Sequence, residues 1–168
     1  LKLCCIRYGV GLGMRMRISG NTLLVASSGG HLVELDLVVN ELEFENKILF
    51  TTNEMVVNKR KYNDFRIIVD ANRNDIFKTV LSFFVLLFEV IKYRPKNVIT
   101  SGASIGFLCV LISRVIFNSK CIWIESIANS NEYSLSCKFA KIFCDRVYVQ
   151  SENLVGEADN VIYKGKLL

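Results

Sequence analysis

From residue 20 onward, short apolar runs alternate with longer stretches in which apolar positions recur every three to four residues. The runs have the length of buried strands, and the stretches have the period of helices packed on one side. Strands are predicted over 22–26, 47–51, 65–69, 97–100, 121–125 and 146–149, with a short one at 161–163. Helices are predicted over 32–43, 74–93, 103–117 and 134–143, and a short one over 55–62. Strands and helices in alternation build crossover units, and therefore an α/β fold with a parallel sheet and helices on both faces. Arg94-Pro95-Lys96 closes the long second helix, because the residue before a proline is pushed out of helical geometry.

Two of the helical stretches are unusually apolar. Residues 79–88 carry no charge between Lys78 and Glu89, and 105–112 form a similar run before Arg114. A membrane-spanning helix needs roughly 20 such residues, so both are expected to pack against the sheet. Phe77, Phe83, Phe84, Leu87 and Phe88 nevertheless supply more apolar surface than one buried face requires. Contact of that surplus with a membrane surface or another subunit is expected.

Length and composition change little in this picture. A chain of 168 residues is the size of one domain and can bury about 70% of its unfolded surface. The six cysteines, Cys4, Cys5, Cys109, Cys121, Cys137 and Cys144, form no Cys-x-x-Cys pair, and a single histidine removes most zinc patterns. Four of them lie in apolar segments as small buried thiols, which fits a reducing cytosol. The net charge of +5 is local: Lys2, Arg7, Arg15 and Arg17 fall in the first 20 residues, which contain no acid. The remainder is nearly neutral and shows no nucleic-acid footprint. Residues 1–20 are expected to be a poorly ordered basic extension, a membrane-touching arm, or a leader before a start at Met14 or Met16. Residues 21–168 are expected to form the domain. The extension lacks the long apolar core of a signal peptide.

Candidate chemistry gathers where the strands end. The first strand stops at Ser27, Ser28, Gly29, Gly30 and His31, immediately before a helix. Such a loop brings backbone N–H groups and a positive helix end against a ligand, and its glycines permit close approach. It lacks the third glycine of the dinucleotide fingerprint and the Gly-Lys-Ser/Thr of a P-loop. The fourth strand ends at Ser101, Gly102 and Ala103, the fifth at Glu125 and the sixth at Gln150. In a parallel sheet these carboxyl ends share one crevice. His31 is suited to act as a general base on a sugar hydroxyl, to bind phosphate, or to support its own loop; all three roles stay open. Glu125 could bind sugar hydroxyls, orient His31, cap a helix or form a salt bridge. One histidine and no nucleophile elbow leave little for a Ser-His-Asp triad.

Taken in order, Ala26-Ser27-Ser28-Gly29-Gly30-His31, Thr100-Ser101-Gly102-Ala103, Ile124-Glu125-Ser126, Ser134-Leu135-Ser136-Cys137-Lys138, Cys144-Asp145-Arg146-Val147-Tyr148-Val149-Gln150 and Tyr163-Lys164-Gly165 resemble the Alg14-like family. The resemblance runs from about Thr22 to the C-terminus and is nearest to the bacterial PssD and CpsF branch. It departs at Asn129, where the family usually carries a basic residue, and at Cys137, where glycine is usual.

That resemblance implies a Rossmann-like domain equivalent to the N-terminal half of a GT-B glycosyltransferase. It implies a split enzyme, in which an Alg13-like polypeptide of the PssE or CpsG type supplies the half holding most of the nucleotide-sugar site. The pair would transfer a sugar from a UDP-sugar such as UDP-N-acetylglucosamine to a lipid-linked, polyprenyl-diphosphate saccharide in capsule, exopolysaccharide or other surface-glycan synthesis. This chain would be inactive or weak alone and peripherally attached to the cytoplasmic face of the membrane, with shallow insertion of an apolar helix. His31 and Glu125 are the expected catalytic residues. Ser27, Ser28, Gly29, Gly30, Ser101, Gly102, Ala103 and Gln150 are the expected substrate contacts. No Asp-x-Asp motif occurs, so no metal and no cofactor are expected; helix dipoles and partner side chains would stabilise the leaving diphosphate. The rival readings are a non-catalytic membrane scaffold for a complete transferase and a stand-alone nucleotide-binding enzyme.

Overall fold

Leu23, Leu24 and Val25 lie in parallel register with Ile48, Leu49 and Phe50 on one side and with Val98, Ile99 and Thr100 on the other. All of these residues are buried, as expected of strands covered on both faces. The computed structural model describes residues 17–54, 61–68, 76–156 and 158–167. Its strands are β1 (Arg17–Val25), β2 (Glu43–Thr51), β3 (Asp64–Ile67), β4 (Asn97–Thr100), β5 (Lys120–Ile124), β6 (Arg146–Val149) and β7 (Val161–Tyr163). They form one seven-stranded sheet, wholly parallel, in the order β3-β2-β1-β4-β5-β6-β7.

The helices are α1 (Gly30–Asn40), α2 (Ile76–Tyr93), α3 (Ala103–Phe117) and α4 (Leu135–Phe143). Alternate strand residues build two cores. Leu24, Leu49, Ile99 and Ile124 pack with Leu32, Leu35, Val38 and Val39 of α1 on one face. Leu23, Val25, Val98 and Trp123 pack with Leu86, Cys109, Val110, Cys137 and Ala140 of α2, α3 and α4 on the other. Among the described helices the strand order sets α1 apart from α2, α3 and α4, because the chain steps from β1 to β2 in one direction and from β4 onward in the opposite one. Crossovers of one hand therefore fall on opposite faces.

Four strands or helices match their predicted bounds, at 97–100, 103–117, 146–149 and 161–163. The largest difference is at the start. β1 begins at Arg17, inside the stretch expected to be a loose extension, and β2 begins at Glu43 rather than at 47. Arg17 and Ile18 pair with Glu43 and Phe44, and the ladder shifts register before Asn21. Gly20 turns that bulge at φ 80°, and a Cβ there would fall 2.6 Å from Lys96 Cδ. The extra pairing comes from the partner strand, which local hydropathy does not report. It also shortens the first helix, which ends at Asn40 instead of 43. Residues 1–16, the expected helix at 55–60, and the expected starts and ends at Val69, Asn74 and Asp75 lie outside the described residues. Lys61 and Tyr62 are not helical.

Candidate active site

The sheet reverses its winding between β1 and β4, and the loops leaving those two strands stand side by side. Crevices at such switch points are where open α/β sheets bind ligands. The first loop turns at Gly29, φ 98°, and the second at Gly102, φ 114°. Both glycines are the N-caps of the helices that follow, and neither cap makes a side-chain hydrogen bond. The leading N–H groups of α1 and α3 are thus left for an anion, with the positive helix ends behind them. Nothing lies within 4 Å of where a Cβ would stand on Gly29 or Gly30, so this rim is open. Ser28 is held from behind: its N–H donates to Thr52 Oγ1 at 2.9 Å, and the Thr52 hydroxyl donates to Ser28 Oγ at 3.0 Å.

His31 joins the two loops. Its Nδ1 is 2.7 Å from the Ser101 carbonyl oxygen, and Ser101 Oγ donates to the His31 carbonyl at 2.6 Å. A carbonyl can only accept, so Nδ1 carries a proton, and the tautomer this contact selects for the neutral ring has its lone pair at Nε2. That is the tautomer a general base requires. Gly102 is needed for this contact, since a Cβ there would come within 3.2 Å of His31 Cε1. Ala103 follows at φ 66°, a left-handed conformation that a non-glycine residue occupies at a cost. Thr100 Oγ1 accepts from Gly102 N at 3.2 Å and closes the turn, while Gly106 leaves room for the same hydroxyl.

Glu125 sits differently. It is 1% exposed, and both oxygens are fully engaged. Oε1 accepts from Asn129 Nδ2 at 2.6 Å and from Ser134 N at 3.2 Å. Oε2 accepts from Trp123 Nε1 at 2.8 Å and from Ser134 Oγ at 3.2 Å. The carboxylate organises the turn from β5 to α4 and makes no hydrogen bond to His31. Its link to the crevice is Trp123, whose ring lies 3.7 Å from the position a Gly102 Cβ would take. Asn129, at the position where the resemblance leads one to expect a basic side chain, is one of its donors. Of the other anticipated contacts, Ser27 is half-buried at the loop and Ser101 is buried. Gln150 is also buried, with Nε2 donating to the Glu125 carbonyl at 3.1 Å and Oε1 accepting from Leu167 N at 2.9 Å.

Two residues of this region escape the sequence reading. Thr52 follows the second strand and supports Ser28. Glu34 is buried on α1 and accepts from Ser126, Ile127 and Gln150. A signal for it exists, since an acid stands in the apolar row of that helix between Leu32 and Leu35. Among the described residues no cluster of three or more histidine, cysteine or acidic side chains is arranged to hold a metal ion. The four described cysteines are free and buried in the core behind the crevice. Burial, then the charge of Asp145, pushes the Cys121 thiol up to about 12. Burial followed by the charge and hydrogen bond of Glu125 drives Cys137 well above the ordinary thiol range. Neither is a nucleophile at neutral pH.

A parallel sheet in this order, with a crevice at its reversal, defines a Rossmann-like domain of the kind that forms the N-terminal half of GT-B glycosyltransferases. The chain superposes on MurG of Acinetobacter baumannii with a TM-score of 0.70 at 12% identity, covering 86% of this chain and 45% of that one. It superposes on UDP-N-acetylglucosamine 2-epimerase of Rickettsia bellii at 0.65 and 14% identity, covering 88% and 45%. S. aureus MnaA, solved with UDP, gives 0.63 at 12% identity, covering 88% and 44%. Identities this low describe the fold alone. Residues 61–167 match the family of Alg14-like oligosaccharide biosynthesis proteins, and the chain belongs to that family. A relative in Candida albicans, the UDP-N-acetylglucosamine transferase subunit ALG14, is 32% identical over 98 residues. That match covers 54% of this chain and 43% of the relative.

Proposed function

We propose that this chain is the acceptor-side subunit of a two-component glycosyltransferase. It works with an Alg13-like partner, of the PssE or CpsG type, that supplies the second half of the cleft. The substrates are a UDP-sugar, held largely by the partner, and a polyprenyl-diphosphate-linked saccharide of a surface-glycan pathway. The observation that carries this reading is the junction of His31 with the Ser101-Gly102 turn, which ties the imidazole through Nδ1 to the place where two helices start on glycine N-caps without side-chain caps. A base and two anion-attracting helix ends are what a hydroxyl acceptor carrying a diphosphate requires.

In this mechanism the N–H groups after Gly29 and Gly102 receive the acceptor diphosphate, and Nε2 of His31 takes the proton of the attacking hydroxyl. Closure by the partner's half would exclude water and align the two substrates. Glu125 supports the rim through Trp123. The family assignment favours a partnered transferase.

Attachment to the membrane surface is part of the same reading. No helix among the described residues is long and apolar enough to cross a membrane. Helix α2 instead exposes Leu81, Phe84, Phe88 and Ile91 along one side, with Phe84 and Phe88 60% and 69% exposed. Aromatic side chains on the outer face of a helix suit shallow insertion beside a lipid-linked acceptor. The deciding experiment is sugar transfer to a lipid-linked acceptor by this chain, by the partner encoded with it, and by both together. Transfer by the pair alone is expected. Full activity of either protein by itself rejects the split enzyme, and activity of the partner alone leaves this chain a membrane scaffold.

A further inference from the structure

Glu34 stands one helical turn after His31 on α1, on the same side of the helix. It is 2% exposed, and a buried carboxylate is retained only where donors surround it. Its Oε1 accepts from Ile127 N at 3.0 Å, Ser126 Oγ at 3.1 Å and Gln150 Nε2 at 3.4 Å. Its Oε2 is buried and makes no hydrogen bond. One oxygen therefore gathers the turn after β5 and the end of β6. Gln150 extends the connection, because its Oε1 holds Leu167 N of the C-terminal segment at 2.9 Å.

His31 and Glu34 are thus two pins on the same end of α1. The first fixes the helix to the end of β4 through Ser101. The second fixes it to the ends of β5 and β6. With one pin removed the helix can pivot about the other, and the direction of His31 Nε2 moves with it. We propose that Glu34 is a positioning residue of the crevice, which sets the aim of His31 and couples it through Gln150 to the C-terminal segment. Its consequence for catalysis rests on the transferase reading; its effect on His31 does not.

His31 is the only histidine, so its ring resonances report on the crevice without ambiguity in the full chain alone. Glu34→Ala is expected to move them, and Ser126→Ala to move them in the same direction by less. Glu34→Gln keeps the Oε1 acceptor and is expected to leave them near their wild-type positions. Val90→Ala, a buried truncation on α2 on the opposite face, is expected to leave them unmoved while lowering stability. Unchanged resonances in the Glu34→Ala chain overturn the proposal, as does an equal displacement by Val90→Ala. If Glu34→Ala does not fold, Ser126→Ala decides: an unmoved ring overturns the proposal and a moved one supports it. In the assembled pair, Glu34→Ala should lower kcat/KM by about tenfold to a hundredfold, with Glu34→Gln restoring most of it. A wild-type pair that transfers nothing counts against the proposed function, whereas an unmoved His31 counts against Glu34.

Discussion

His31 stands at the crevice and Glu125 is buried behind it, and the two are opposites. His31 spends one ring nitrogen on Ser101 and keeps the other, beside glycines with open space in front of them. Glu125 has four nitrogen and hydroxyl donors on two oxygens, the Cys137 thiol as a further one, and almost no exposed surface. A side chain with an unused lone pair at an open rim can act on a ligand. One whose lone pairs are all engaged acts on the protein. Both residues have the right chemistry for a sugar-transfer site, and only their partners separate the two roles.

The contrast can be broken most decisively at His31. Replacement by alanine removes the proposed Nε2 base, and transfer by the assembled pair is expected to fall by about 10²–10⁴-fold. Chemical denaturation should register a loss of only about 1 kcal/mol, for the one hydrogen bond from Nδ1 to the Ser101 carbonyl, since the bond from Ser101 Oγ to the backbone carbonyl of residue 31 remains. A His31→Ala pair that retained normal turnover would make the histidine a loop support.

At Glu125 the expected pattern is inverted, with stability carrying the effect. Glu125→Ala removes the acceptor of four nitrogen and hydroxyl donors and of the Cys137 thiol, and unfolding in urea should show a loss of about 3 kcal/mol. Glu125→Gln should not rescue it, because each oxygen faces two donors and an amide must set its own N–H against one pair. A fully stable Glu125→Gln chain with impaired transfer would return the residue to the catalytic group.

The smallest effect concerns the thiols behind the Glu125 turn. The folded chain keeps the protons of Cys121 and Cys137 at pH values where the unfolded chain releases them. Their contribution is therefore complete below the unfolded thiol value of ~8.5. It declines as pH rises from there, for Cys121 toward about 12, by at most about 1.4 kcal/mol per pH unit for each thiol. Thermal unfolding across that range should show the decline. Because burial, the larger cause, remains in Glu125→Ala while the Glu125 charge and hydrogen bond are lost, the decline should keep its slope there but end at a lower pH. A decline ending at the same pH in both chains would detach the thiol from the carboxylate.

Much of this arrangement is legible in the order of residues. The Ser-Ser-Gly-Gly-His loop, the Ser101-Gly102 turn and the strand ends at 125 and 150 all follow from apolar runs interrupted by small and polar residues. The positions of β4, α3, β6 and β7, and of α4 to within one residue, follow too, because each is bounded by its own turn or cap. Ser134 Oγ, for instance, accepts from Cys137 N and starts α4. The length of β1 and β2 does not follow, since Arg17–Ile18 become strand only when Glu43–Phe44 lie beside them.

Local pattern alone determined that this chain is a parallel α/β domain with small and polar residues gathered at its strand ends, because strand period, helix period and glycine turns are properties of neighbouring residues. Which of those polar residues remain available for chemistry was decided only by the tertiary structure. Glu34 meets Ser126 across 92 residues and Gln150 across 116, and His31 meets Ser101 across 70. Hydrogen-bond partners that distant are chosen by strand order, and it is the partners that turn one carboxylate into a brace and leave one imidazole free.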